Sequence, residues 1–439
     1  MKRNQSAFLI AAPSSSSGKT TVTLGLMQAL VNRGLVVQPF KCGPDYIDPM
    51  YHSAIAGRPS YNLDTWMASK THVMELFQNQ ASKSQVSVIE GVMGLFDGAV
   101  KSQGSAADIA KLLNIPVILV MDAKAMAYSA APLLFGFKHF DDDLNIAGVI
   151  FNRVSGDSHY QYLRDAAIDA GVEPLGYLTK DEQLIMPSRH LGLTLPSENP
   201  TLELAQKAAE LLEKHVDIDR LLELSQYQIN KTHLKAFPIG KLKIAIASDK
   251  AYCFMYQANI DALMQLGEVT FFSPLHDQLL PTADVVWLPG GYPELYAKEL
   301  SNNTLMLNAI AQHSQQGKIL IAECGGFMLT GKQLHQNGES YPMAGIFDYE
   351  TSLDNMKLTL GYRQLNIDGN WFRGHEFHYS QLINIQDYTN THLVLSARET
   401  EVKMPVFRQQ KTFASYLHLY LGETGKMEAF LDELWQDKN

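Results

Sequence analysis

Two segments of this chain carry residue types at spacings that chemistry uses. The first is APSSSSGKTT (12–21), a run of small residues ending in Gly-Lys-Thr-Thr. Placed after an apolar strand and at the start of a helix, such a loop turns backbone N–H groups and a helix N-terminus toward phosphate oxygens. Lys19 is then expected to reach the β- and γ-phosphates of ATP, and the Thr20 hydroxyl to hold Mg²⁺. Ser17, Gly18 and Thr21 complete the expected nucleotide loop. The GxxxxGK pattern asks for glycine where Pro13 stands, but four serines keep the loop small and hydrogen-bonding. Phosphoryl transfer also needs carboxylates for the metal. Asp45 in FKCGPDYIDP follows one apolar strand and Glu90 in VIEGVMGLFDG ends another. Ligands of doubly wound sheets gather at the carboxyl ends of strands, so both acids are expected to converge on Lys19 and Thr20. Asp48, Asp64 and Asp97 are within reach of the same place. Asn152, after a later strand, stands where a side-chain amide reads a nucleotide base; a plain turn asparagine is the competing reading.

The second segment is KILIAECGGFMLTGK (318–332). A nucleophile on a sharp strand-to-helix turn is lifted clear of the sheet, and Gly325 and Gly326 let a substrate approach the backbone. The helix N-terminus is expected to lower the Cys324 thiol pKa toward the reactive thiolate. Cys42 and Cys253 lack this setting and read as buried small residues. Thiol catalysis wants a base, and His418 in ASYLHLYL, after an apolar run, is the best of 14 histidines. WLPGGYPE adds a glycine turn after a strand, with Gly290 and Gly291 as backbone donors for an oxyanion. Together these parts describe acyl transfer through a thioester, with an amide cleaved to ammonia.

The elements that must position these groups follow from hydrophobic patterning. Apolar runs at 7–12, 36–40, 86–91, 116–122 and 147–152 read as buried strands, with helix-period segments between several of them. In TTVTLGLMQALVNRG, Val22, Leu26, Ala29 and Leu30 fall on one helix face and Gly34 supplies the stop. Continuous apolar strands alternating with helices imply a parallel sheet covered on both faces. A charged helix is expected from Leu202 to Leu224, then a polar stretch. The alternation restarts at 243–248, with a helix through Asn259–Leu266 and strands at 269–273, 284–291 and 318–324. The fold class is therefore α/β with two doubly wound domains, 1–234 and 235–439, split between Ser225 and Lys241.

Composition sets the class of partner. The chain has 439 residues, 46% hydrophobic and 19% charged, as in an ordinary globular protein. A formal net charge of −10 argues against nucleic acid, whose phosphates want clustered Lys and Arg. Three cysteines without CxxC spacing argue against a disulfide framework or a zinc site. The start MKRNQSAFLIAAP has the look of an export signal, but its apolar core is short and leads straight into the phosphate loop. The stretch around MAYSAAPLLFGF is too short to span a bilayer. A cytoplasmic protein without membrane partners is expected, and a homodimer is left open.

Ten segments in order, PSSSSGKTT, PFKCGPDYIDPMYH, NLDTWM, IEGVMGLFDG, SRHLGL, LPGGYPE, AECGGFM, LGYR, FRGHEFHYS and SYLHLYL, resemble the cobyrinic acid a,c-diamide synthases. These are glutamine-dependent amidotransferases of corrin biosynthesis, and the resemblance covers essentially the whole chain. It implies an N-terminal P-loop NTPase domain similar to dethiobiotin synthetase. There ATP phosphorylates a substrate carboxylate and ammonia displaces the phosphate. It implies a C-terminal class I, flavodoxin-like glutaminase domain in which Cys324 attacks glutamine and His418 is the base. Thr20, Asp45 and Glu90 match the Mg²⁺ ligands by this resemblance, and Tyr46 lies in the substrate-proximal loop. Lys41, Arg189 and His190 are local positive groups for a polycarboxylate corrinoid; general solvated charge is the competing reading for each. Class I glutaminases usually carry His-x-Glu, whereas this chain has Tyr420 at the acid's position; the corrin branch lacks that acid. The rival substrates are hydrogenobyrinic acid and nickel sirohydrochlorin. The rival class is a non-catalytic, nucleotide-switched binding protein.

Overall fold

The computed structural model describes residues 5–181, 184, 200–228, 240–385 and 392–436. The chain divides into two compact units, Met1–Leu234 and Lys235–Asn439.

The N-terminal unit is built on seven parallel strands: β1 (Gln5–Ala11), β2 (Val37–Cys42), β3 (Tyr61–Leu63), β4 (Val86–Glu90), β5 (Val117–Asp122), β6 (Ile146–Val154) and β7 (Glu173–Thr179). Their order across the sheet is β3-β2-β4-β1-β5-β6-β7, and a short β8 (Gln226–Tyr227) pairs antiparallel with the start of β1. Helices α1 (Lys19–Asn32), α2 (Ile47–Ala56), α3 (Lys70–Ala81), α4 (Ala106–Leu113), α5 (Ala130–His139), α6 (Asp157–Asp169), α7 (Pro200–His215) and α8 (Ile218–Leu224) connect and cover it. The short β3 and the strand β7 escaped the sequence reading, β3 because three residues carry no period. The charged helix expected over 202–224 is two helices. The chain breaks where Val216 bridges to Gly176 of β7 and Asp217 caps α8 by accepting from the Arg220 N–H. Helix α1 is buried on most sides because α7 lies over it. A Cβ on Gly25 would come within 2.7 Å of Ala208 and Leu212, so glycine is what permits this close approach. Val22, Leu26, Ala29 and Leu30 share one core with Ala205, Ala209 and Leu212.

The C-terminal unit holds a sheet in the order β10-β9-β11-β12-β21-β20. Its strands are β9 (Leu242–Ala247), β10 (Gly267–Phe272), β11 (Val285–Leu288), β12 (Ile319–Glu323), β20 (Val406–Gln409) and β21 (Thr412–Ser415). All pairs are parallel except β20–β21, which gives the flavodoxin-like order with one antiparallel edge strand. Helices α9 (Gln257–Leu266), α10 (Ala297–Asn302), α11 (Thr304–Gln315), α12 (Gly325–Thr330) and α13 (Lys426–Trp435) belong to this unit. Two further sheets lie between α12 and the end. One joins β13 (Gln333–Gln336), β14 (Glu339–Pro342), β15 (Glu350–Ser352) and β18 (Gln381–Ile383). The other is antiparallel, in the order β19-β16-β17-β22, from β16 (Thr359–Ile367), β17 (Asn370–His378), β19 (Leu393–Ser396) and β22 (Leu417–Leu419). Among the described residues no helix is long and apolar enough to cross a membrane.

Candidate functional site

In the N-terminal unit a cleft of about 670 Å³ opens over the carboxyl ends of the parallel strands. The phosphate loop forms its floor. Ser16 and Gly18 take left-handed conformations, φ 63° and 94°, which curl the loop before α1 begins at Lys19. A Cβ on Gly18 would strike the Asn152 amide at 2.0 Å, so this glycine is required by space as well as by its φ. Asn152 itself donates to the Ser17 carbonyl and accepts from the Arg153 N–H. Its amide therefore shapes the loop from β6.

Lys19, Thr20, Asp45 and Glu90 all line the cleft. The Thr20 hydroxyl donates to Glu90 Oε1 at 2.7 Å, and Lys19 Nζ reaches the Met93 carbonyl at 2.5 Å. Burial lowers the Lys19 pKa against the pull of Glu90. Glu90 is fully buried yet held below the ordinary carboxylate range. Burial and Asp48 push it up, but Lys41 at 3.2 Å and His52 at 2.7 Å outweigh them. Lys41 is 3% exposed, and burial opposes its charge; Asp48 at 2.6 Å, with Glu90 and Asp45, reverses that and raises its pKa. Asp45 Oδ1 accepts from the Ile47 and Asp48 N–H groups at the head of α2. Tyr46, at the same helix start, is buried. A hydroxyl with one or two carboxylates is the hard-oxygen donor set of Mg²⁺, which takes its remaining ligands from water and phosphate. Thr20, Glu90 and Asp45 fit that set. Asp97 and Asp64 are spent on the loop backbone, accepting from Gly94 and from Trp66 and Met67.

Two residues near the cleft escaped the sequence reading. His52 lies one helical turn after Asp48 on α2 and pairs with Glu90, and that i, i+4 spacing was the available signal. Arg153 takes φ 61°, pairs with Asp122 and donates to the Ser16 carbonyl; nothing in its local sequence marks it. Arg189 and His190 lie outside the described residues.

In the C-terminal unit Cys324 sits between β12 and α12 with φ 48° and ψ −97°. This is the strained, sharp turn that a lifted nucleophile needs. Its thiol donates to the Phe377 carbonyl at 3.7 Å. The thiol pKa is the reverse of the sequence expectation. Burial pushes it up and the carboxylates of Glu294, Glu323 and Glu376 add to that, while the Gly325 N–H pulls back only in part. A short helix end in a dry site does not offset the lost solvation of a thiolate. Gly325 and Gly291 come together, since a Cβ on Gly325 would lie 3.0 Å from the Gly291 nitrogen. Gly290 lies against His418, where a Cβ would come within 2.2 Å of the ring.

His418, on β22, is buried, and burial lowers its pKa well below the ordinary value. Glu323, next to Cys324, ties its strand to β22. Its two oxygens accept from the Leu419 N–H at 2.9 Å and the Trp287 indole at 3.3 Å. Burial pushes the Glu323 carboxyl up to about 8. The FRGHEFHYS segment brings side chains to this site that the sequence reading left without roles. His375 stacks on His418, His378 stacks on Tyr416, and Glu376 bridges Arg363 and His378 at 2.8 and 2.9 Å.

Comparison with known proteins bears on both units. Residues 8–193 match the CobQ/CobB/MinD/ParA nucleotide binding domain, and residues 243–425 the CobB/CobQ-like glutamine amidotransferase domain. A cobyrinate a,c-diamide synthase of Listeria innocua is 40% identical over 94% of this chain and 96% of its own length. A hydrogenobyrinate a,c-diamide synthase of Brucella abortus is 40% identical over 94% of this chain and 98% of its own. A cobyrinate a,c-diamide synthase of Picrophilus torridus is 39% identical over 94% and 95%. With a phosphate cleft in one unit and a thiol at a strained turn in the other, this chain belongs to the family of cobyrinate and hydrogenobyrinate a,c-diamide synthases.

Proposed function

We propose that this chain amidates the a and c acetate carboxylates of cobyrinic acid with ATP and glutamine. Unit 1–234 serves as the synthase and unit 235–439 as the glutaminase. A carboxylate is a poor electrophile, so a substrate carboxylate oxygen attacks the γ-phosphorus of ATP and ADP leaves. Ammonia then attacks the acyl carbon and phosphate departs, leaving the amide. Lys19, Gly18 and the Ser17–Thr21 backbone hold the phosphates. Lys41, kept charged by its carboxylate neighbours, and Tyr46 face the acidic substrate; Arg189 and His190 join them in this reading. Thr20, Asp45 and Glu90 would hold Mg²⁺, which when bound neutralises phosphate charge. In the glutaminase, His418 takes the Cys324 proton and the thiolate attacks the glutamine side-chain carbonyl. The Gly291 and Gly325 N–H groups, beside Gly290, stabilise the oxyanion. His418 returns that proton to the departing nitrogen, ammonia leaves, and water, deprotonated by His418, releases glutamate from the thioester. The reducing cytoplasm suits a protein with three free thiols.

The observation that carries this reading is the Thr20–Glu90–Lys41 cluster at the phosphate loop together with Cys324 at its strained turn. Hydrogenobyrinic acid is the second reading, favoured by the Brucella relative, whose identity equals that of the Listeria one. The test is mass spectrometry of products from cobyrinic acid, hydrogenobyrinic acid and nickel sirohydrochlorin with ATP, Mg²⁺ and glutamine. Two amides on cobyrinic acid are expected. Amidation of nickel sirohydrochlorin alone overturns the assignment.

A further inference from the structure

Class I glutaminases orient the base histidine with an acid two residues on, and Tyr420 occupies that position here. The structure surrounds His418 differently. Strands β17 and β22 pair antiparallel with His375 directly opposite His418, which puts both side chains on one face. The two imidazoles stack with centroids 4.9 Å apart and planes 13° from parallel. On another side the ring meets the Gly290 backbone so closely that a Cβ there would lie 2.2 Å from Cε1 and 3.0 Å from Nδ1. His375 is itself fixed: the Tyr256 hydroxyl lies 2.8 Å from its Nδ1, and the Tyr256 ring meets Tyr420 edge-on at 5.2 Å.

We propose that His375, stacked on His418 and anchored by the Tyr256 hydroxyl, is the positioning residue that orients the base, in the place an acid takes elsewhere. The proposal rests on His418 being the base. Burial pushes the His375 pKa down to about 3, and burial together with His375 and His378 holds the His418 pKa low, so the stack keeps His418 an unprotonated base ready to take the thiol proton. Stacking thereby fixes the plane of the His418 ring.

Four variants test this by steady-state ammonia release from glutamine. His418→Asn should lose glutaminase activity; if it keeps it, the assignment of the base fails, separately from the role of His375. His375→Leu removes the flat ring and should lower kcat by about 10- to 100-fold, the scale of a misdirected general base, with KM for glutamine within about twofold. His375→Phe keeps a stacking ring but loses the Tyr256 anchor, and should recover kcat to within about 3- to 10-fold of the native enzyme, matching Tyr256→Phe. Tyr256→Phe removes only the anchoring hydroxyl and should lower kcat by about 3- to 10-fold. A merely structural role for His375 would raise KM and would not be rescued by phenylalanine. The proposal is overturned if His375→Leu keeps native kcat, if leucine and phenylalanine lose equally, if the loss lies in KM, or if Tyr256→Phe is unchanged.

Discussion

Gly290→Ala isolates one contact. The φ of Gly290 is not in the left-handed region, so alanine adds no backbone strain. The added methyl carbon would stand 2.2 Å from His418 Cε1, with Phe254 Cβ at 3.2 Å limiting its retreat. Carbon atoms rest at about 3.5 Å or more, so the imidazole must move by roughly 1.3 Å. The His375 ring, stacked on the His418 face, restricts rotation out of plane. A misplacement of about 1 Å in a catalytic group costs about 100-fold, or about 2.7 kcal/mol in the barrier. Glutamine-dependent amidation should therefore fall by about two orders of magnitude, while amidation with ammonium chloride, which bypasses the thiol, should stay near the native rate. The assay is product formation with each nitrogen source under saturating ATP. Gly136→Ala is the control. It lies exposed within α5 with nothing within 4 Å of the new Cβ, and should gain about 0.5 to 1 kcal/mol from helix propensity alone. Native glutaminase turnover in Gly290→Ala would refute the packing of His418 against this glycine.

Cys324→Ala should abolish amidation from glutamine and spare amidation from ammonia; loss of both would sink the division of labour between the units. Lys19→Ala should stop carboxylate activation with either nitrogen source, read as ADP release, and unchanged turnover with ammonia would refute the phosphate-site assignment. Glu323, pushed up to about 8 by burial, holds a proton in the folded state that the unfolded carboxyl gives up near its ordinary value of 4.5. Its contribution to stability is therefore full below about pH 4.5 and is lost as pH rises toward about 8, at up to roughly 1.4 kcal/mol per pH unit. Glu323→Gln should flatten that loss, measured as denaturant midpoints at pH 6 and pH 8.5 by tryptophan fluorescence. Equal slopes in both proteins would contradict a neutral buried Glu323.

The sites were legible in the sequence to the extent that their chemistry is local. APSSSSGKTT carries its own loop geometry, because small residues, a glycine with positive φ and a helix start lie within ten positions. AECGGFM likewise encodes the sharp strand-to-helix turn at Cys324, since a strand end, two glycines and a helix start are adjacent in it. The place of Asp45 and Glu90 at the cleft followed from the rule that parallel strands open their carboxyl ends to ligands. What local pattern could not supply was anything set by register or by burial. Arg153 and Asn152 meet the phosphate loop because β6 runs beside β5 in the sheet, and they shape the loop's backbone. The helix expected over 202–224 broke at Val216 because a bridge to Gly176 outweighed local propensity.

By itself, then, the sequence determined the family's two chemistries, the α/β class and the turn that holds Cys324, all properties of short segments whose neighbours in sequence are their neighbours in space. Tertiary structure decided how those groups are tuned. Antiparallel pairing of β17 with β22 set His375 against His418. Burial reversed the expected shift of the Cys324 thiol, because the lost solvation of a charge exceeds what one short helix end returns. Lys41 keeps its charge in a dry interior because Glu90 from β4 joins Asp45 and Asp48 of its own segment around it. Solvation and strand register depend on the whole packed fold, so no window of sequence contains them.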